Sequence, residues 1–164
     1  MNKTEILDKA DKLISQAEKL IPKTFETDLP PTKLIPHVPD WHSFEHEIWR
    51  LGEELRQLIK TNLTIRKEDE LFRRILKVCT NKNAKRGRQS FIMLLGAKQF
   101  SRFAADLITQ VDDKFVDGQV ICTIQKMHVA GFDSEVKPFI EHKHAWIRNA
   151  AKKYLTQKNE TFEQ

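Results

Sequence analysis

Three nine-residue stretches, GRQSFIMLL (87–95), VDGQVICTI (116–124) and IRNAAKKYL (147–155), decide how this chain folds. Set one beneath another, at offsets of 29 and 31 residues, they superpose Phe91, Val120 and Ala151, and then Leu95, Ile124 and Leu155 four residues on. Apolar positions recurring at three- and four-residue steps mark one face of a helix. Between the stretches lie FSRFAADLI (100–108) and SEVKPFI (134–140), shorter amphipathic segments that read as antiparallel partners. Such helix pairs have too little apolar surface to stand alone, so neighbours must stack to bury a continuous core.

Upstream, TEILDKADKLISQAEKLI (4–21) carries Ile6, Leu7, Ala10, Leu13, Ile14, Ala17, Leu20 and Ile21 on one stripe, and Pro22 ends that helix. Five prolines between 22 and 39 make the next stretch an extended connector. Its Phe25, Leu29, Leu34, Ile35 and Val38 are expected to pack along the body. A second helix spans WHSFEHEIWRLGEELRQLIK (41–60), with Asp40 as its N-cap and Phe44, Ile48, Leu51, Leu55 and Leu58 facing inward. A third covers about 67–80, acid-rich at its start and basic at its end. From residue 84 the pattern predicts five short helices, near 84–97, 99–111, 114–130, 133–143 and 145–157, with breaks at Asp112-Asp113 and at Gly131-Phe132-Asp133.

The expected fold class is all-α. The repeated stretches resemble HEAT-like repeats, the helix-pair units of α-solenoids, over about residues 84–157, or two and a half units. AWIRNAAKKYL (145–155), an apolar residue and Arg followed by small residues and a final Leu, is similar to the second helix of such a unit. The resemblance implies a short right-handed α-solenoid of antiparallel helix pairs over 84–157, capped by the N-terminal helices and proline-rich connector of 1–83, with 158–164 as a tail. It also implies a concave surface lined by the second helices. One position departs from the family pattern: Arg88 and Arg148 align with Asp117. These three are expected either to form an Arg–Asp–Arg column or to be separate solvated side chains.

The 164 residues are 40% hydrophobic and 31% charged, a composition that folds and that has room for a core without staples. Cys79 and Cys122 sit singly in apolar runs and read as buried, reduced thiols. The first residues, MNKTEILDKADKL, have no apolar signal-peptide core, and no run approaches the ~18 apolar residues of a membrane span. A cytoplasmic location is therefore expected, with no membrane association. The net charge of +5 is concentrated: residues 65–100 hold ten Lys and Arg against three Asp and Glu. One basic segment on a near-neutral body points to a patch rather than to general polyanion binding.

Two kinds of site are legible. The first is the H-x-x-E-H spacing of His42, Glu45 and His46, which in inverted zinc peptidases supplies two metal ligands and the glutamate that activates water. The helical period turns both histidines about 160° from the Phe44, Ile48, Leu51 and Leu55 stripe, and no downstream glutamate lies between Glu70 and Glu135. They read as a solvated or partner-facing surface, with no metal. The second is the basic run: Lys82, Lys85, Arg86 and Arg88, continued on the second helices by Lys126, Arg148, Lys152 and Lys153. Such residues contact phosphates or an acidic protein surface. Neither cysteine has the open, electropositive setting of a nucleophile, and no glycine-rich phosphate loop occurs. The function expected is a non-catalytic protein-interaction scaffold without cofactor or small-molecule substrate, its partner bearing an acidic surface. Nucleic-acid binding through the same patch is the alternative, and a metal-dependent hydrolase at the HSFEH helix a third reading.

Overall fold

The structure is a computed structural model describing residues 1–30 and 41–161. Among these the chain is all-helical, with an isolated parallel bridge between Val129 and Glu160 in place of any strand. Asp40, Leu34, Ile35 and Val38 lie outside the described residues. No helix of the described residues is long and apolar enough to cross a membrane. The chain divides into two compact units, Met1–Phe91 and Ile92–Gln164. The division falls inside the first of the three repeated stretches.

In the first unit, α1 (Lys3–Leu20) opens with a reciprocal cap. Asn2 Oδ1 accepts from Glu5 N at 3.0 Å, and Glu5 Oε2 accepts from Asn2 N at 2.8 Å. Ile6, Ala10, Leu13, Ile14 and Ala17 are buried against α2 (Ser43–Thr61), whose Ile48, Leu51, Leu55 and Leu58 are buried in turn. The start of α2 is set by His42 at the N-cap, with Glu45 reaching back to its amide. A 3₁₀ turn, Leu63–Lys67, leads to α3 (Asp69–Thr80), which buries Leu71, Phe72, Ile75, Val78 and Cys79. Arg74 of α3 is tied to α1 through Asp11, Ser15 and Glu18. The expected helix at 84–97 is instead a 3₁₀ segment, Lys82–Arg88, followed by α4 (Gln89–Met93). Its path is kinked at Lys85, and it abuts α2 so tightly that a Cβ at Gly87 would lie 2.8 Å from Ile48 Cβ and 2.9 Å from Glu45 O. Of the connector, Phe25 meets Lys85 but remains exposed, and Leu29 stands exposed as well.

In the second unit, a 3₁₀ segment (Lys98–Phe103) runs into α5 (Ala104–Ile108), and both pack on α6 (Asp117–Met127). α7 (Asp133–Val136) continues as a 3₁₀ segment, Lys137–Glu141, whose first turn accommodates Pro138, and both pack on α8 (Ala145–Thr156). Two breaks have local causes. Asp113 Oδ1 accepts from Phe115 N at 2.9 Å, and α6 ends at His128, whose φ of 53° is left-handed. Buried Tyr154 then fastens the following loop, its hydroxyl donating to Val129 O at 2.7 Å and accepting from Phe132 N at 3.1 Å.

α6 and α8 are parallel neighbours. At their starts, a Cβ at Gly118 would collide with Trp146 and Ile147. At their ends, Gln125 Nε2 donates to Gln157 Oε1 at 3.0 Å, and Gln157 Nε2 to Gln125 O at 2.9 Å, across 32 residues of sequence. α6 is also tied to the segment before it, for Thr123 Oγ1 donates to Ile92 O, 31 residues back.

Candidate functional site

The three residues of the H-x-x-E-H spacing are used at the junction of α2 with the Lys82–Arg88 segment. Glu45 is 1% exposed, against the expectation of an outward motif. Its Oε2 accepts from His42 N at 2.7 Å and its Oε1 from Arg86 N at 3.0 Å, so both oxygens are engaged by main-chain donors. His42 Nε2 donates to Asp28 O at 2.9 Å, and the ring stacks on Phe44. His46 lies 4.9 Å from the Trp41 ring. A carboxylate that activates water needs a free oxygen facing the substrate; the oxygens of Glu45 instead define where α2 begins and where residue 86 sits. Among the described residues no group of three His, Cys, Asp or Glu side chains is placed to hold a metal ion.

The basic residues separate into two groups. Arg88 is 0% exposed, its Nη1 donating to Cys79 O at 3.0 Å and its Nε to Lys85 O at 3.2 Å. Its assignment to a binding surface is corrected: this guanidinium serves the interior, where main-chain carbonyls satisfy it. Lys85 is 7% exposed and Arg86 half-buried, while Lys82 remains exposed. Three other cations of the basic run are held by acids. Arg73 pairs with Asp69 at 2.5 Å, Arg74 with Asp11 and Glu18, and Lys98 with Glu160 at 3.0 Å.

The second group lies on α6 and α8. Lys126, Lys152 and Lys153 are exposed and have neither an ion pair nor a side-chain hydrogen bond among the described residues. Arg148 is half-buried and braces the turn before α8, donating to His142 O at 2.7 Å and to Lys143 O at 3.0 Å. Asp117, the acid aligned with Arg88 and Arg148, has Oδ2 3.4 Å from His142 Nε2, so Asp117 and Arg148 both converge on His142. Residues 142–158 contain five Lys or Arg and no Asp or Glu. Successive turns of α8 present Trp146, Asn149, Lys152, Lys153 and Thr156 outward, with the Trp146 ring 48% exposed beside the start of α6. In the sequence these lysines belong to an acid-free run, while the denser basic run at 65–100 conceals pairing and burial that a charge count does not register.

The cysteines are chemically quiet. Burial pushes the Cys79 thiol far up, only partly offset by nearby Arg88. Cys122, half-buried on α6, is likewise raised by burial, with Lys126 pulling the other way. Neither has the depressed thiol of a nucleophile. No family model matches the chain, and neither a curated protein nor a solved structure matches it.

Proposed function

We propose that this chain is a non-catalytic interaction scaffold that grips an acidic surface of a protein partner through Lys126, Lys152 and Lys153. On this reading its helix pairs form a short right-handed α-solenoid of the HEAT-like kind, and the outward side of α6 and α8 is the working surface. The observation that carries the proposal is the pairing contrast. Arg50, Arg56 and Arg73 sit on carboxylates, whereas two parallel, neighbouring helices present three exposed lysines with no ion pair among the described residues. Exposed cations contribute little each in water, yet a cluster of one sign steers an oppositely charged surface and fixes its register.

A second reading, phosphate binding to a nucleic acid, is favoured by one feature. The half-exposed Trp146 on the same helix as Lys152 and Lys153 offers the aromatic face on which bases stack. The two are separated by presenting the immobilised chain with nuclease-treated extract and, separately, with single-stranded and duplex DNA. The scaffold reading expects an acidic protein recovered in a salt-sensitive manner and lost with Lys152→Glu plus Lys153→Glu. DNA retention at low salt that falls steeply as salt rises, with no protein recovered after nuclease, transfers the surface to nucleic acid.

A further inference from the structure

A second site is built around Lys85 in the first unit, independent of the α6–α8 surface. Its side chain is almost wholly buried, yet the ammonium ends 4.8 Å from the centre of the Phe25 ring. The backbone that aims it there has φ 49° and ψ −129°, a conformation that residues other than glycine rarely take. Strain of this kind persists where the surroundings over-determine it. They do so here: on one side Arg86 N is held by Glu45 Oε1, and on the other Lys85 O accepts from Arg88 Nε. Lys85 is therefore pre-set to face the connector.

What lies against it resembles a ligand. The segment Thr24-Phe25-Glu26-Thr27-Asp28 has one aromatic residue followed by acids one and three positions later. It is tied at its ends through its own main chain, Asn83 Nδ2 donating to Pro22 O at 3.0 Å and His42 Nε2 to Asp28 O at 2.9 Å. Any extended peptide supplies such carbonyls. Phe25 itself is 45% exposed, so its ring rests on the lysine without being enclosed. A buried lysine stem capped by an aromatic face, beside exposed Lys82 and half-buried Arg86, offers a cation–π partner and positive charge of the kind an aromatic-acidic peptide can engage.

We propose that Lys82, Lys85 and Arg86 form a docking site for an acidic peptide segment carrying an aromatic residue, and that Phe25–Asp28 of the chain's own connector is its resident occupant. An external ligand of this chemistry binds by displacing that segment, so the connector acts as an internal competitor.

The test uses the full chain and a labelled peptide of sequence PKTFETDLP, identical to residues 22–30, followed by fluorescence anisotropy. Phe25→Ala, at a half-exposed position, frees the site and is expected to bind the peptide about tenfold more tightly than the unmodified chain does, through removal of a competing cation–π anchor. Adding Lys85→Ala to that variant abolishes the binding, and adding Lys85→Arg retains it. Acylation of Lys85, slow in the unmodified chain, becomes fast in Phe25→Ala and slow again once the peptide is added. Three results overturn the proposal: no binding by the Phe25→Ala chain, equal binding with and without Lys85, or equal binding of a peptide whose Phe is replaced by Ala. Lys85-dependent capture of duplex DNA in place of the peptide overturns it as well.

Discussion

A carboxylate as deeply buried as that of Glu45 must have its oxygens hydrogen-bonded, and main-chain donors at residues 42 and 86 do this. Glu45→Ala leaves both part-buried N–H groups without their acceptor, each at a cost toward the lower end of the about 1–3 kcal/mol of a buried, unsatisfied donor. Chemical denaturation should register a loss of about 3 kcal/mol for this variant, whereas His46→Ala, beside the Trp41 ring, should cost under about 1 kcal/mol. A catalytic role would give the opposite ranking in any assay: activity lost, stability kept. The thiols make a second residue-scale prediction. Because burial raises the Cys79 thiol and closes access to it, a disulfide reagent should modify Cys122 slowly in the native protein and reach Cys79 only on unfolding. A native-state count of two rapidly reacting thiols would contradict that placement.

Among elements, the α6–α8 contact depends on an absent side chain. Gly118 lets Trp146 and Ile147 lie directly on the start of α6, so Gly118→Ala must push both aside at a cost of about 1–3 kcal/mol. The melting temperature should fall and Trp146 emission should shift, while the Gln125–Gln157 end stays joined. The segment after α8 is fastened differently. Glu160 N donates to His128 O at 2.7 Å, Ala130 N donates to Glu160 O at 2.9 Å, and Lys98 Nζ reaches the Glu160 carboxylate at 3.0 Å. The hydrogen bond and charge of Lys98 hold that carboxyl below the ordinary glutamate value. A depressed carboxyl pKa means that the tie is complete above the ordinary glutamate range and fades as pH falls through the lowered value. Amide shifts of Ala130 and Glu160 should therefore move together in acid, with the midpoint displaced upward in Lys98→Ala.

At the scale of the whole molecule, what could be read in advance followed from periodicity. The stripes of α1 and α2 and the helices at 117–127 and 145–156 are marked by apolar steps of three and four, and they occur where that pattern puts them. Boundaries drifted where 3₁₀ turns replace α-helix, as at Lys82–Arg88, because such turns depend on what they abut: a glycine at 87 pressed to α2, a strained Lys85. The site was less legible. Arg88 looks like any surface arginine until the chain brings Cys79 O to it, and Glu45 looks like part of a motif until Arg86 N arrives. Both partners are remote enough in sequence that no local pattern encodes them. The charge count over 65–100 is blind in the same way, since it cannot show that Arg73, Arg74 and Lys98 are paired and that Lys85 and Arg88 are buried.

The most direct measurement compares two immobilised proteins, the unmodified chain and Lys152→Glu plus Lys153→Glu, in nuclease-treated extract at two salt concentrations, with circular dichroism showing both equally folded. The first should recover an acidic protein at low salt and less of it at high salt, and the second should recover none. An identical set of proteins from both, or none from either, would contradict it.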